Sequence, residues 1–203
     1  MNRINWRLRK LINEKNRKKL TNTNFSLIAS NCNGGFILHD LGMRFNSPFI
    51  NLWIKPKDFI RILSDFCEYM DAPLTFVNED GIDYPIGKLL DAKIYFMHYE
   101  SEAEAESKWK ERKQRIDYDN MFILFTDRDG CTYDDLLDFD RLPFKNKIVF
   151  TKRPYPDIKS AVYIKGFENQ DSVGDCFAYM PKGLGKKYYD QFDYVSWFNG
   201  TLE

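Results

Sequence analysis

The 203-residue chain predicts an α/β fold: a three-layer arrangement with a mixed but largely parallel sheet and helices on both faces. Three observations carry this. Short apolar runs at Phe25–Ser30, Lys93–Tyr99 and Asn120–Thr126 each end in polar residues. Segments with helical periodicity separate them. The run Met121-Phe122-Ile123-Leu124-Phe125 is apolar without alternation, which suits a strand covered on both faces. A hydrophobic content of 43%, with 16% aromatic residues, is ample for a core, and the length suits one domain with an appendage.

Residues 1–20 are the appendage. They hold eight basic residues (Arg3, Arg7, Arg9, Lys10, Lys15, Arg17, Lys18 and Lys19) against Glu14, so the zero net charge of the chain hides an acidic remainder. Ile4, Leu8, Leu11 and Ile12 fall at i, i+4, i+7 and i+8, predicting an amphipathic helix with a basic face ahead of a single α/β domain over 21–203. Two readings stand. The stripe packs on its own acidic domain, or the helix makes peripheral contact with an anionic membrane, helped by Trp6. Nucleic acid is disfavoured, because no basic surface interleaved with aromatics follows.

Within the domain, Phe25–Ser30 is the first strand, Gly35–Leu41 a short helix and Pro48–Ile54 an extended segment. Pro56 suits the first turn of a helix over Lys57–Met70, with Phe59, Ile62, Leu63 and Phe66 as its buried stripe. Leu74–Val77 predicts a strand, and Asn78-Glu79-Asp80-Gly81 a turn. Tyr84–Leu89 follows as an extended segment and Lys93–Tyr99 as a strand. Ser101-Glu102-Ala103-Glu104 fits a capping box opening a helix to Ile116. After the strand Asn120–Thr126, Thr132 caps a helix to Phe139. Lys147–Thr151 and Ala161–Lys165 are strands, 166–185 a loop, and Lys186–Asn199 a terminal helix.

No apolar run approaches the roughly 20 residues of a membrane span, and no signal peptide is recognisable, so a cytoplasmic protein with reduced thiols is expected. Cys32, Cys67, Cys131 and Cys176 form no C-x-x-C pair, and with two histidines a structural zinc site is disfavoured. Glycine-rich nucleotide loops of the G-x-G-x-x-G and Walker types are absent from the sequence.

The candidate chemistry sits at strand ends, where open α/β sheets bind ligands. Ser30-Asn31-Cys32-Asn33-Gly34-Gly35 reads as a strand-to-helix turn, whose free amides can hold an anion or favour a thiolate. Cys32, His98 and Asp127, if brought together, would form a thiol nucleophile, its base and an orienting carboxylate. The alternative is an inert buried thiol, with His98 as a crevice wall. Asn31, Ser47 and Ser101 are placed to line the same crevice. Arg112 and Arg115 share a helix face with Lys108 and can grip a phosphate or carboxylate, or simply pair with neighbouring glutamates. Asp127-Arg128-Asp129 resembles the D-x-D signature of glycosyltransferases, in which Asp127 and Asp129 would hold Mg²⁺ or Mn²⁺; a plain turn is the competing reading.

Asn31-Cys32-Asn33-Gly34-Gly35, the later Phe45-Asn46-Ser47-Pro48 and the Lys108-Trp109…Arg112…Arg115-Ile116 pattern together resemble a bacterial family known as domain of unknown function nineteen-nineteen. The resemblance spans about Asn24 to Phe167. It implies a setting in surface-polysaccharide (exopolysaccharide or capsule) biosynthesis, without an established reaction. The leading expectation is therefore a transferase acting on an activated sugar or acyl donor, with a small-molecule or glycan substrate. The alternatives are a Cys-His acyl-transfer or hydrolytic enzyme using Cys32, and a non-catalytic binding or scaffolding module.

Overall fold

In the computed structural model, which describes residues 3–202, two sheets form. Strands β1 (Ser26–Ala29), β5 (Met121–Thr126), β6 (Asn146–Thr151) and β7 (Ala161–Tyr163) make a four-stranded sheet in the order β1-β5-β6-β7, parallel throughout. Strands β2 (Thr75–Val77), β3 (Ile86–Leu89) and β4 (Ala92–Tyr95) make a small antiparallel sheet. The predicted mixed sheet is thus divided, with each pairing sense in its own sheet.

Strand alternation builds the layers. Leu27, Ala29, Phe122, Leu124, Ile148 and Phe150 face one apolar cluster, closed by α2 (Asn33–Asp40) and the C-terminal segment, including α7 (Tyr194–Phe198). Ile28, Ile123, Phe125 and Val149 face the other, closed by α3 (Pro56–Ser64), α4 (Phe66–Asp71), α5 (Glu102–Lys113), α6 (Tyr133–Arg141) and the small sheet. Parallel strands buried on both faces account for the unbroken apolar run of β5.

Caps set several boundaries. Ser101 accepts from Glu104 N at 3.2 Å, and Thr132 and Asp135 exchange both bonds of a full capping box at the start of α6. The helix predicted over Lys57–Met70 is two helices, because Asp65 (φ −129°, ψ 48°) leaves helical geometry between α3 and α4. The terminal helix predicted over Lys186–Asn199 is instead a 3-10 turn at Tyr188–Gln191 followed by α7. Phe192 (φ −105°, ψ 134°) breaks the path between them.

The first helix, α1 (Arg3–Lys19), corrects the sequence reading most sharply. The helix packs on its own domain, but only half of the predicted apolar stripe takes part: Leu8 and Ile12 are half-buried, while Ile4 and Leu11 are each 61% exposed. Polar residues hold the helix. Buried Arg9 pairs with Asp40 at 2.6 Å and also with Asp190. Asn13 donates to Asp40 at 2.9 Å, Asn16 to the Tyr194 hydroxyl at 2.8 Å, and Arg17 to the Asp40 carbonyl at 2.9 Å. No helix among the described residues is long and apolar enough to cross a membrane.

Candidate active site

Adjacent parallel strands bring their carboxyl ends together. Residues following β1 (Asn31, Cys32) therefore lie beside residues following β5 (Asp127, Arg128), and Asn31 Nδ2 donates to Thr126 Oγ1 at 2.7 Å. Asn31 Oδ1 accepts from Asn33 N at 3.1 Å, which turns the chain from strand into α2 with Cys32 at the helix cap. The two glycines that follow are steric requirements. A Cβ on Gly34 would lie 2.6 Å from Ala29 Cβ on the strand beneath, and one on Gly35 would lie 2.0 Å from Asn51 Oδ1.

His98 reaches this turn by a different route from the one expected. It follows β4, a strand of the antiparallel sheet, so it does not stand at the end of a parallel strand. Residues 53 and 54 stitch the two sheets: Trp53 pairs with Tyr95 across an antiparallel bridge, and Ile54 N donates to Ser30 O at 3.0 Å. The result places His98 Nε2 3.3 Å from Cys32 Sγ.

Around this pair lies a cavity of about 600 Å³. Its walls are largely aromatic: Phe36 and Phe177 stack with centroids 4.1 Å apart, and Phe45, Trp53, Tyr84 and Met97 complete the apolar lining. The polar lining includes Asn31, Asn33, Asn51, His39 and Asp129, with Arg128 and Asp175 paired at 2.8 Å. Asn33 is 1% exposed, and among the described residues neither its Oδ1 nor the buried Trp53 Nε1 has a hydrogen-bond partner.

Burial pushes the Cys32 thiol up; Asp175 adds to this, while Arg128 and a backbone hydrogen bond pull it down without prevailing. Burial thus works against the thiolate, where the turn amides alone were expected to favour it. A neutral thiol beside an imidazole nitrogen needs that imidazole to take its proton before it can attack.

Of the other candidates, Asn31 and Asp129 line the cavity, whereas Asp127, Ser47, Ser101, Arg112 and Arg115 fall outside its lining. Asp127 does not orient His98. Its carboxylate accepts from Val173 N at 2.7 Å and Lys152 N at 2.8 Å, fixing two loops, and burial pushes its carboxyl up. No carboxylate lies within 4.0 Å of the His98 ring nitrogens among the described residues, so the pair is a dyad. The Asp127/Asp129 cation reading meets the same obstacle: Asp127 is engaged with amides, and no cluster of three or more metal-ligating groups forms among the described residues. Ser47 is buried, donating to Leu27 O and accepting from Phe49 N at 3.2 Å. Ser101 serves as the α5 cap.

Arg112 and Arg115 brace the wall from behind. Arg112 donates to the Tyr99 hydroxyl at 2.8 Å and to Ile50 O at 3.4 Å, and Arg115 to Phe45 O at 2.7 Å. That row steadies the loop carrying Phe45 and Asn51. The sequence reading missed Phe36, Trp53, Tyr84, Phe177 and the Arg128–Asp175 pair. Arg128 was in view only as the middle of a supposed metal motif, and Asp175 sits in a loop without periodicity.

The chain belongs to the family described as "Domain of unknown function (DUF1919)", whose model matches residues 3–199. It is 55% identical over 196 residues to an uncharacterized protein of Haemophilus influenzae (strain ATCC 51907 / DSM 11121 / KW20 / Rd), covering 97% of this chain and 94% of that one.

Proposed function

We propose that this protein is an acyl-transfer enzyme in which Cys32 is the nucleophile and His98 its general base. The single observation that carries the reading is the 3.3 Å Sγ–Nε2 contact inside a cavity at the carboxyl ends of β1 and β5. His98 takes the thiol proton as the sulfur–carbon bond forms. It then passes that proton to the departing oxygen or nitrogen, leaving a thioester on Cys32. A hydroxyl or water attacks the thioester next, His98 accepting its proton, and the thiol is restored. Gly34 and Gly35 lie in the first turn of α2, whose amides have no partner within the helix and can steady an oxyanion.

The lining charges bear on the donor. Arg128 is matched to Asp175, and Asp129 adds a second carboxylate, so a polyanionic nucleotide finds no surplus cation here. An uncharged acyl-bearing group suits the aromatic walls better, and this favours an activated acyl donor over an activated sugar. A place in surface-polysaccharide assembly is the setting suggested by the family resemblance; the residues themselves argue only for the chemistry.

The test is single-turnover acylation with p-nitrophenyl acetate followed by intact and peptide mass spectrometry. The expected result is one acetyl group on Cys32, lost in Cys32→Ala and formed about 10²–10⁴-fold more slowly in His98→Ala. A Cys32 that takes up no acetyl group, or a Cys32 acetylation rate unchanged in His98→Ala, would overturn the proposal in favour of a binding module.

A further inference from the structure

We infer that the outward face of α1, with the adjoining loop 182–186, is a docking surface for an anionic lipid bilayer. This site is separate from the cavity and independent of its chemistry. A surface helix ordinarily buries its apolar residues and exposes its charges. Here the arrangement is mixed: Arg9, Asn13 and Asn16 face the domain with Leu8 and Ile12 half-buried beside them, while Leu11 is 61% exposed and Trp6, one turn before Arg9 at the flank, is 52% exposed. Around these stand Arg7, Lys10, Lys15 and Lys18, all exposed, with Glu14 as the sole acid of the helix. None of the four cations forms a salt bridge among the described residues.

A second element extends the patch. Loop 182–186 lies along the same helix so closely that a Cβ on Gly185 would sit 2.7 Å from Leu8 Cβ. It contributes exposed Lys182 and Lys186, and Leu184, which is 72% exposed. Lys10 Nζ lies 5.9 Å from the Trp6 ring centroid, a cation and an amphipathic ring side by side.

The chemistry of this face selects its occupant. Unpaired cations call for a negative surface, and exposed Leu and Trp side chains gain only where there is apolar material to enter. A nucleic acid would satisfy the charges and leave Leu11 and Leu184 in water. A second copy would set like charges against one another. Acidic headgroups over an acyl boundary satisfy both demands.

The experiment is sedimentation of the full chain with vesicles of phosphatidylcholine containing phosphatidylglycerol, compared with phosphatidylcholine alone, over a range of salt. The expected result is partition onto the acidic vesicles only, weakening as salt rises. Lys10→Gln and Lys15→Gln should each lower the partition coefficient about fivefold. Leu11→Asn should lower it with the charges intact. These side chains make none of the contacts that hold α1, so melting temperatures should stay level and confirm that each variant is folded. Failure to sediment, equal partition onto neutral vesicles, or binding confined to a polyuridylate control would each overturn the inference.

Discussion

Replacing Asp40 with Asn is expected to cost the fold about 3 kcal/mol, the lower end of the loss seen when one partner of a buried ion pair is removed. Asp40 is the meeting point of three parts of the chain. Arg9 of α1 and Lys187 of the C-terminal segment pair with it at 2.6 and 2.8 Å, and Asn13 and the Tyr189 hydroxyl also donate to it. The amide removes the charge while Arg9 and Lys187 stay buried. Arg9 keeps Asp190, which is why the lower figure applies. At about 2–4 °C per kcal/mol for a chain of this size, the variant should melt about 6–12 °C below wild type. Burial pushes the Asp40 carboxyl up, but hydrogen bonds from Lys187 and Tyr189 and the charge of Arg9 outweigh it. They hold the group at about 2 against an ordinary 3.8. A depressed carboxylate stabilises the fold above its unfolded value, and that contribution is lost as pH falls through the folded one. The gap between wild type and Asp40→Asn should therefore stay level from pH 7 to about 4, then narrow by about 2 kcal/mol between about 4 and 2. Paired urea titrations at pH 7, 4 and 2.5 read this directly. A gap below about 0.5 kcal/mol at pH 7, or one unchanged down to pH 2.5, would refute the reasoning.

Four further outcomes follow from the site. Iodoacetamide at neutral pH should label exposed Cys67 before Cys32. Cys176, which burial pushes up to about 12, should label only on unfolding. Asp175→Asn should speed Cys32 labelling about two- to fivefold and Arg128→Gln slow it similarly, from about 0.5–1 kcal/mol per partly exposed charge; rates unmoved by either change would discard the electrostatic account. Gly35→Ala should destabilise by about 1–3 kcal/mol, and Asn51→Gly should restore much of it, because the clash is with that side chain and Asn51 already has φ 60°. Ser47→Ala should cost about 1–2 kcal/mol in urea unfolding while leaving Cys32 acylation unchanged, since its hydroxyl ties a loop to β1; a loss of acylation at full stability would place Ser47 in the chemistry.

The fold was legible where patterns are local. The apolar run of β5, the Thr132 box and Pro56 at the start of α3 are each decided within a few residues, and the structure reproduces them. Boundaries failed where tertiary contacts overrode a periodic pattern, as at Asp65 and Phe192. Half of the α1 stripe, Ile4 and Leu11, stayed out for a plainer reason. Periodicity shows that a helix has two faces, but the face that docks depends on the acceptor. Here the acceptor is a pair of buried carboxylates, Asp40 and Asp190, which attract Arg9 in place of Leu11. In the site, Cys32 was legible because the turn that holds it is continuous in sequence. The aromatic walls were not, since Phe36, Trp53, Tyr84 and Phe177 come from four separated segments and look like core residues one at a time.

Cys32 and His98 are 66 positions apart and follow strands of different sheets, so their contact depends on the join between those sheets. β1 is an edge strand of the parallel sheet, and an edge leaves backbone groups unpaired. Ile54 N takes up the carbonyl of Ser30, one residue before Asn31, and Trp53 simultaneously bonds to Tyr95, three residues before His98. A two-residue segment thus fixes both halves of the dyad, and the indole of Trp53 forms part of the cavity wall beside them. Covering an exposed edge and assembling a site are here the same structural act. The same short join explains why the Asn-Cys-Asn-Gly-Gly turn needs Gly35: the approach of Asn51, two residues before Trp53, leaves no room for a side chain there.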